Sequence, residues 1–295
     1  LAGAHLHRVV VIGRESFAEF SSIFEGARMQ DNGSRPLALV TGASSGIGAE
    51  LARELVRHGH DVVLTARRAP ELESLAAELR TLGASATVLP KDLALHGAAR
   101  ELAREIETRG ARVDVLINNA GFGDVGGFAR EDPDRIESML ELNVVALTTL
   151  TRAFLPGMVA RGRGRVMLVS STAAFQPGPN MAAYCASKAY VLSLGEALAQ
   201  ELRCTGVTVT TLCPGATLSG FAAEAGAESL PLYSSKLVPK MSSASVARAG
   251  YDAMMRGKPV LVTGIVNKLV ALSGRVFPRA VVFPVAKLLL GDHSA

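Results

Sequence analysis

The sequence predicts a doubly wound α/β fold, a parallel sheet of about seven strands with helices on both faces. From Pro36 onward, short β-branched apolar runs alternate with longer stretches rich in Ala, Leu, Glu and Arg. The short runs are apolar almost throughout, as strands buried on both faces are, and intervening helices supply the right-handed crossovers that make a sheet parallel. Composition agrees. Of 295 residues, 48% are hydrophobic and 20% charged, enough for one large core and unlike a disordered chain.

The expected strands, in order, are Leu37 to Thr41, Asp61 to Ala66, Ser85 to Leu89, Val113 to Asn118, Arg165 to Ser170, Val207 to Cys213 and Pro259 to Thr263. Between them, Ala49 to His58, Pro70 to Leu82 and Ala98 to Arg109 read as helices. Residues 35–295 are expected to form a single domain, and 1–34 a poorly structured extension. Met29, followed by a polar stretch and then a strand, would be a natural start. The apolar run Val9 to Ile12 is shorter than the roughly 7 to 15 residues of a signal-peptide core.

Charge and cysteine usage exclude several classes. The net charge of +4 comes from 31 basic and 27 acidic residues interleaved along the chain, so no basic face is built for nucleic acid. The dense run Arg161 to Arg165 reads as a solvated loop without stacking aromatics. Cys185, Cys204 and Cys213 form no CxxC pair or disulfide framework, which points to reduced thiols and a cytoplasmic setting. His5 and His7 lack further ligands nearby, and no metal site is expected.

In such a sheet, ligands bind outside the carboxyl ends of the strands. The first strand ends in Gly42-Ala43-Ser44-Ser45-Gly46-Ile47-Gly48 and runs into a helix. Gly42 permits a sharp turn, Gly46 a close approach of backbone to a pyrophosphate, and Gly48 close helix packing. The helix start adds free amides and a partial positive charge. No Lys-Ser or Lys-Thr pair follows the glycines, so this is not a P-loop. The second strand ends Ala66-Arg67-Arg68, where an enzyme binding NAD(H) would usually place an acid to hold the adenosine ribose. A guanidinium at Arg67 matches a 2′-phosphate instead, so NADP(H) is the expected cofactor. Arg68 reads as the start of a solvated helix.

These motifs, taken with the later strand ends, make the chain resemble the classical short-chain dehydrogenase/reductase family, of Rossmann type, over residues 36 to about 264. The likeness includes Asp92-Leu93, Asn118-Asn119-Ala120-Gly121, Asn143, Ser170-Ser171, Tyr184-Cys185-Ala186-Ser187-Lys188 and Pro214-Gly215. By that resemblance Asp92 and Leu93 flank the adenine, and Asn119, Ala120 and Gly121 line the cofactor cleft. Tyr184, Lys188, Pro214, Gly215 and Thr217 also contact the cofactor. Ala146 stands where the family often has Gly, and Ser219 where Thr often follows the Pro-Gly turn. Both are exchanges of small residues.

Reducing a ketone needs a proton for oxygen, and the reverse reaction needs a base at the same place. A phenol, with a reference pKa of about 10, needs its anion stabilised. Tyr184 and Lys188, four apart in a helical pattern, share a face. The Lys188 ammonium and the oxidised nicotinamide would favour phenolate; a drop of roughly three pKa units corresponds to about 4 kcal/mol. Tyr184 is therefore the expected acid/base. The resemblance makes Ser171 the hydrogen-bond partner of the substrate oxygen and Asn143 the residue that holds a relay water with Lys188. A non-catalytic dinucleotide sensor or scaffold of the same fold is the alternative, although it would not need that set. A hydrolase is not expected, since no G-x-S-x-G nucleophile elbow is recognised and no histidine lies near Ser171 or at an expected strand end.

Phe122, Thr172, Phe175, Gln176, Pro177, Ala216 and Phe221 are expected around the reacting carbon, favouring a hydrophobic ketone or secondary alcohol. Residues 217–240 read as a lid. The apolar segment 265–290 carries Lys268, Arg275, Arg279 and Lys287, and contains no 18-residue uncharged apolar span. It is expected to pack over the cleft or against another subunit, with peripheral membrane contact as the alternative. The family resemblance also implies a homo-oligomer.

Overall fold

The computed structural model describes residues 35–228, 230–235 and 240–276. The expectations for residues 1–34, and for the apolar segment from residue 277 onward, lie outside the described residues.

Seven parallel strands run in the order β3-β2-β1-β4-β5-β6-β9. They are β1 (Leu37–Thr41), β2 (Asp61–Thr65), β3 (Ala86–Val88), β4 (Val113–Asn118), β5 (Gly164–Val169), β6 (Val207–Cys213) and β9 (Val260–Val262). Two-residue strands β7 (Thr217–Leu218) and β8 (Met241–Ser242) pair separately. All seven expected strands are present, within a residue at either end. The chain steps outward from β1 to β3 and then crosses to the other side of β1 as β4. A crevice therefore opens beyond the carboxyl ends of β1 and β4, the place such sheets use for ligands.

On one face, α1 (Gly46–Arg57), α2 (Ala69–Thr81) and α9 (Ser243–Met255) bury Leu51, Leu55, Leu72, Leu79, Val246 and Met254 against Val40, Leu64 and Leu212. The spacing of three or four residues puts these side chains on one stripe, and each buried leucine contributes about 1.5–3 kcal/mol. On the other face, α3 (Ala98–Thr108), α5 (Leu147–Ala160) and α6 (Ala182–Glu201) set Leu102, Ile106, Leu150, Phe154, Met158 and Val191 on Leu39, Leu116 and Leu168. Helix α4 (Pro133–Leu140) has Pro133 at its first turn, and the Asp132 side chain caps it by accepting from Asp134 N at 3.1 Å.

A π-helical turn, Glu141–Ala146, joins α4 to α5. The combined run Pro133–Ala160 is long and apolar enough to cross a membrane, but its apolar stripe is the one packed on the sheet.

Candidate active site

The α1 helix begins at Gly46, three residues earlier than its sequence pattern predicts, which places the second half of the glycine motif in the first helical turn. Gly42 has φ +65° and Gly46 φ +58°, the left-handed region that glycine adopts without strain. Gly48 is needed for space. A Cβ there would collide with the Gly42 carbonyl oxygen and the Asn119 amide. Gly48 therefore lies behind the turn, in the close-packing role its sequence position predicts, rather than on the cleft wall.

One hydroxyl joins the carboxyl ends of β1 and β4. Thr41 Oγ1 accepts from Asn119 N at 3.0 Å and Ala120 N at 2.9 Å, and donates to Ile117 O at 3.3 Å. Asn119 Nδ2 returns two bonds, to Thr41 O at 3.0 Å and Gly42 O at 3.2 Å. The glycine turn and the Asn119-Ala120-Gly121 turn are thus one unit, and sequence reading did not single out Thr41.

The crevice is a cleft of about 610 Å³. Its walls include Gly42, Ser44, Ser45, Gly46, Ile47, Arg67, Asp92, Leu93, Asn119, Ala120, Gly121, Ser171, Tyr184, Lys188, Pro214, Gly215 and Thr217. Every residue assigned from the sequence to catalysis or to the cofactor, except Gly48 and Asn143, is therefore at one surface. Asn143 is fully buried on the π-helical turn. Its Nδ2 donates to Phe122 O at 2.9 Å and Ser187 Oγ at 3.1 Å, and its Oδ1 accepts from Phe122 N at 3.2 Å. These bonds fix the backbone beside Gly121.

Tyr184 and Lys188 project from successive turns of α6, and both are almost fully buried. Lys188 Nζ donates to Val169 O at 3.2 Å and lies 5.8 Å from the centre of the Tyr184 ring. Burial lowers its pKa to about 8. Burial also pushes the Tyr184 phenol well above its ordinary value, with Tyr233 adding to the rise and a hydrogen bond with Ser171 opposing it. Sequence reasoning assigns the downward pull to Lys188. In the structure Ser171 opposes the rise through its hydrogen bond, and the Lys188 ammonium stands close enough to the ring to favour the phenolate as well. Ser171 also accepts from Ala173 N at 3.1 Å, capping a short 3-10 turn, Thr172–Phe175.

Around this group, Phe122, Met181, Tyr184, Cys185, Ala225, Ala227 and Leu230 form a separate apolar cluster, with Phe221 and Tyr233 against it. Phe122, Thr172, Gln176, Ala216 and Phe221 line the cleft as expected; Phe175 and Pro177 do not. Phe175 ends the 3-10 turn and Pro177 lies beyond it, with Gln176 between them on the cleft. Burial raises the Cys185 thiol to about 11, so it is a packing residue. Residues of the expected lid form α7 (Phe221–Glu224) and α8 (Pro231–Ser234) between β7 and β8. Beyond them, α10 (Ile265–Val276) turns Val266, Asn267 and Val270 onto the cleft, while Ile265, Leu269 and Leu272 are exposed.

The adenosine end carries contacts beyond those expected. Arg68 is the exposed N-cap of α2, the start of a solvated helix as expected, and its Nη2 also donates to Ser44 Oγ at 3.1 Å and Ser45 Oγ at 3.0 Å, which ties the glycine turn to that helix. Arg67 Nη2 donates to Glu224 Oε1 at 2.8 Å. The expectation that the chain lacks a G-x-S-x-G elbow is corrected by Gly42-Ala43-Ser44-Ser45-Gly46, which spell that pattern at the strand-to-helix turn. Arg68 engages that serine, however, and no histidine is among the residues lining the cleft. The residues that line it suit a dinucleotide: a positive-φ glycine turn for a pyrophosphate and two guanidinium groups at the end of β2.

Comparison with known proteins agrees with this geometry. Residues 36–229 match the family model described as short chain dehydrogenase. A short chain dehydrogenase of Pseudocercospora fijiensis is 39% identical over 184 residues, which cover 62% of this chain and 60% of that relative. The chain thus matches less than two thirds of that relative's length. A short-chain dehydrogenase from Sphingobium yanoikuyae, solved in complex with NADPH, superposes with a TM-score of 0.73 at 34% identity, covering 81% of this chain and 93% of the other. A bulky-bulky ketone specific alcohol dehydrogenase from Comamonas testosteroni gives 0.69 at 29%, covering 81% and 92%. Fold, strand-end motifs and matched relatives coincide along the same stretch of sequence, and the chain belongs to the short-chain dehydrogenase family.

Proposed function

We propose that the protein is an NADP(H)-dependent oxidoreductase that interconverts a hydrophobic ketone and its secondary alcohol. The observation that carries this reading is the convergence of Ser171, Tyr184 and Lys188 in a cleft whose other end holds the glycine turn, Arg67 and Arg68. Bound NADP(H) supplies or accepts the hydride. The chain's own residues do the rest. Ser171 orients the substrate oxygen beside the Tyr184 hydroxyl, which gives it a proton in reduction and takes one back in oxidation. Burial favours the neutral phenol, the form reduction uses. Phe122, Met181, Phe221 and Val270 offer an apolar wall to the substituents of the carbonyl and keep water from the reacting atoms. The Sphingobium relative was solved with NADPH and the Comamonas relative is specific for bulky-bulky ketones, which supports both halves of the reading.

The test is a panel of carbonyls and alcohols assayed with NADPH/NADP and NADH/NAD in parallel, for the natural chain and for Tyr184→Phe. Turnover of apolar ketones with NADPH, reduced by a factor of about 10² to 10⁴ in Tyr184→Phe, is the expected result. Retention of most of the turnover would refute the proton route, and a preference for NADH would refute the choice of cofactor.

A further inference from the structure

The expected 2′-phosphate contact, Arg67, already has an anionic partner, and that partner comes from the lid. Glu224 is the last residue of α7, and its carboxylate forms an ion pair with Arg67 at 2.8 Å. The first residue of the same turn, Phe221, packs on Tyr184 with ring centres 5.4 Å apart. Helix α7 therefore bridges the cleft, with Phe221 at the Tyr184 end and Glu224 at the Arg67 end. A second arginine anchors it from outside. Arg135 Nη2 donates to Glu224 O at 2.7 Å, and Arg135 Nε to Asp124 Oδ1 at 2.7 Å.

We infer that Glu224 is a specificity-determining residue: its carboxylate stands in for the cofactor's 2′-phosphate on Arg67 and must give up that guanidinium when NADP(H) binds, but not when NAD(H) binds. This deepens the proposed function and rests on its reading of the cleft. A phosphomonoester carries about −1.5 to −2 charges at neutral pH, and a carboxylate left beside it would be repelled. The ribose hydroxyl of NAD(H) is neutral and leaves the Arg67–Glu224 pair in place. Arg68, engaged with Ser44 and Ser45, keeps its position with either dinucleotide. The Arg135 contact is to the backbone oxygen of Glu224, so the turn stays attached on that side while its carboxylate swings away.

The experiment measures dissociation constants of NADPH and NADH, by fluorescence of the reduced nicotinamide, for the natural chain, Glu224→Gln, Arg67→Gln and the double variant. Glu224→Gln is expected to tighten NADPH by about 5-fold, the order of one partly exposed ion pair, and to leave NADH within about 2-fold. In the Arg67→Gln background the Glu224→Gln effect should shrink to less than about 2-fold, since the guanidinium for which the two anions compete is gone. Both groups are about half exposed, so folding should survive, and Glu224→Ala, which removes the same charge, should behave alike. An unchanged or weakened NADPH affinity in Glu224→Gln, or equal tightening of both dinucleotides, would overturn the inference while leaving the oxidoreductase reading intact. A natural chain that binds neither dinucleotide would overturn both.

Discussion

Replacing Thr41 by Val tests whether the β1 and β4 strand ends are one unit. Thr41 is 2% exposed, and its hydroxyl accepts from two backbone amides, Asn119 N and Ala120 N, while donating to Ile117 O. Valine keeps the branched shape and removes all three bonds. Two N–H groups and one carbonyl lose a partner at the base of the cleft. A buried polar group left unsatisfied costs about 1–3 kcal/mol; the two amides are only partly buried and Asn119 keeps its side-chain bonds to β1, so the sum should reach about 2–4 kcal/mol. Equilibrium urea unfolding reads it directly as a lower midpoint at unchanged slope. Thr41→Ser keeps the hydroxyl and should lose less than about 1.5 kcal/mol, the range of removing one methyl. Because the same amides position Ala120 and Gly121 on the cleft wall, Thr41→Val should also weaken NADPH binding. A loss below about 1 kcal/mol, or equal losses for Val and Ser, would refute the argument.

Three further outcomes are expected. Since burial holds Lys188 to about 8, the free enzyme loses that ammonium as pH rises through about 8, while the raised Tyr184 phenol stays protonated. The kcat/KM of NADPH-dependent reduction should therefore fall above about pH 8, and a profile still flat at pH 9.5 would contradict the role of Lys188. Gly48→Ala forces a methyl into the Gly42 carbonyl and the Asn119 amide, and should cost about 1–3 kcal/mol of stability together with NADPH affinity, as read by urea unfolding and cofactor titration. Val270→Asp puts a charge on the apolar wall contributed by α10; it should raise KM for an apolar ketone by about 10-fold or more, with NADPH binding within about 2-fold in a fluorescence titration.

Much of the fold was legible because its signals are local. Unbroken apolar runs such as Leu37 to Val40 report strands buried on both faces, and the i, i+4 spacing of Tyr184 and Lys188 places them on one helix face whatever surrounds them. The glycine motif was legible for the same reason, since its demands on φ and on space arise within a few residues. Asn143 belongs to the family likeness, but nothing near it in sequence announces that its amide is used by Phe122, 21 residues away. Phe175 and Pro177 are expected at the cleft from the sequence, yet neither lines it, while Gln176 between them does.

By itself, then, the sequence determined the order of strands and helices, the glycine turn, and the residue types available at each strand end, because period and spacing are properties of neighbouring residues. Only the tertiary structure decided how those side chains divide the work. It moved Arg68 onto Ser44 and Ser45, gave Arg67 a partner 157 residues away in Glu224, joined two strand ends through Thr41, and laid α10 over the cleft. The reach of a long side chain and the loss of water around a buried one depend on what distant segments bring alongside, and no local pattern encodes that.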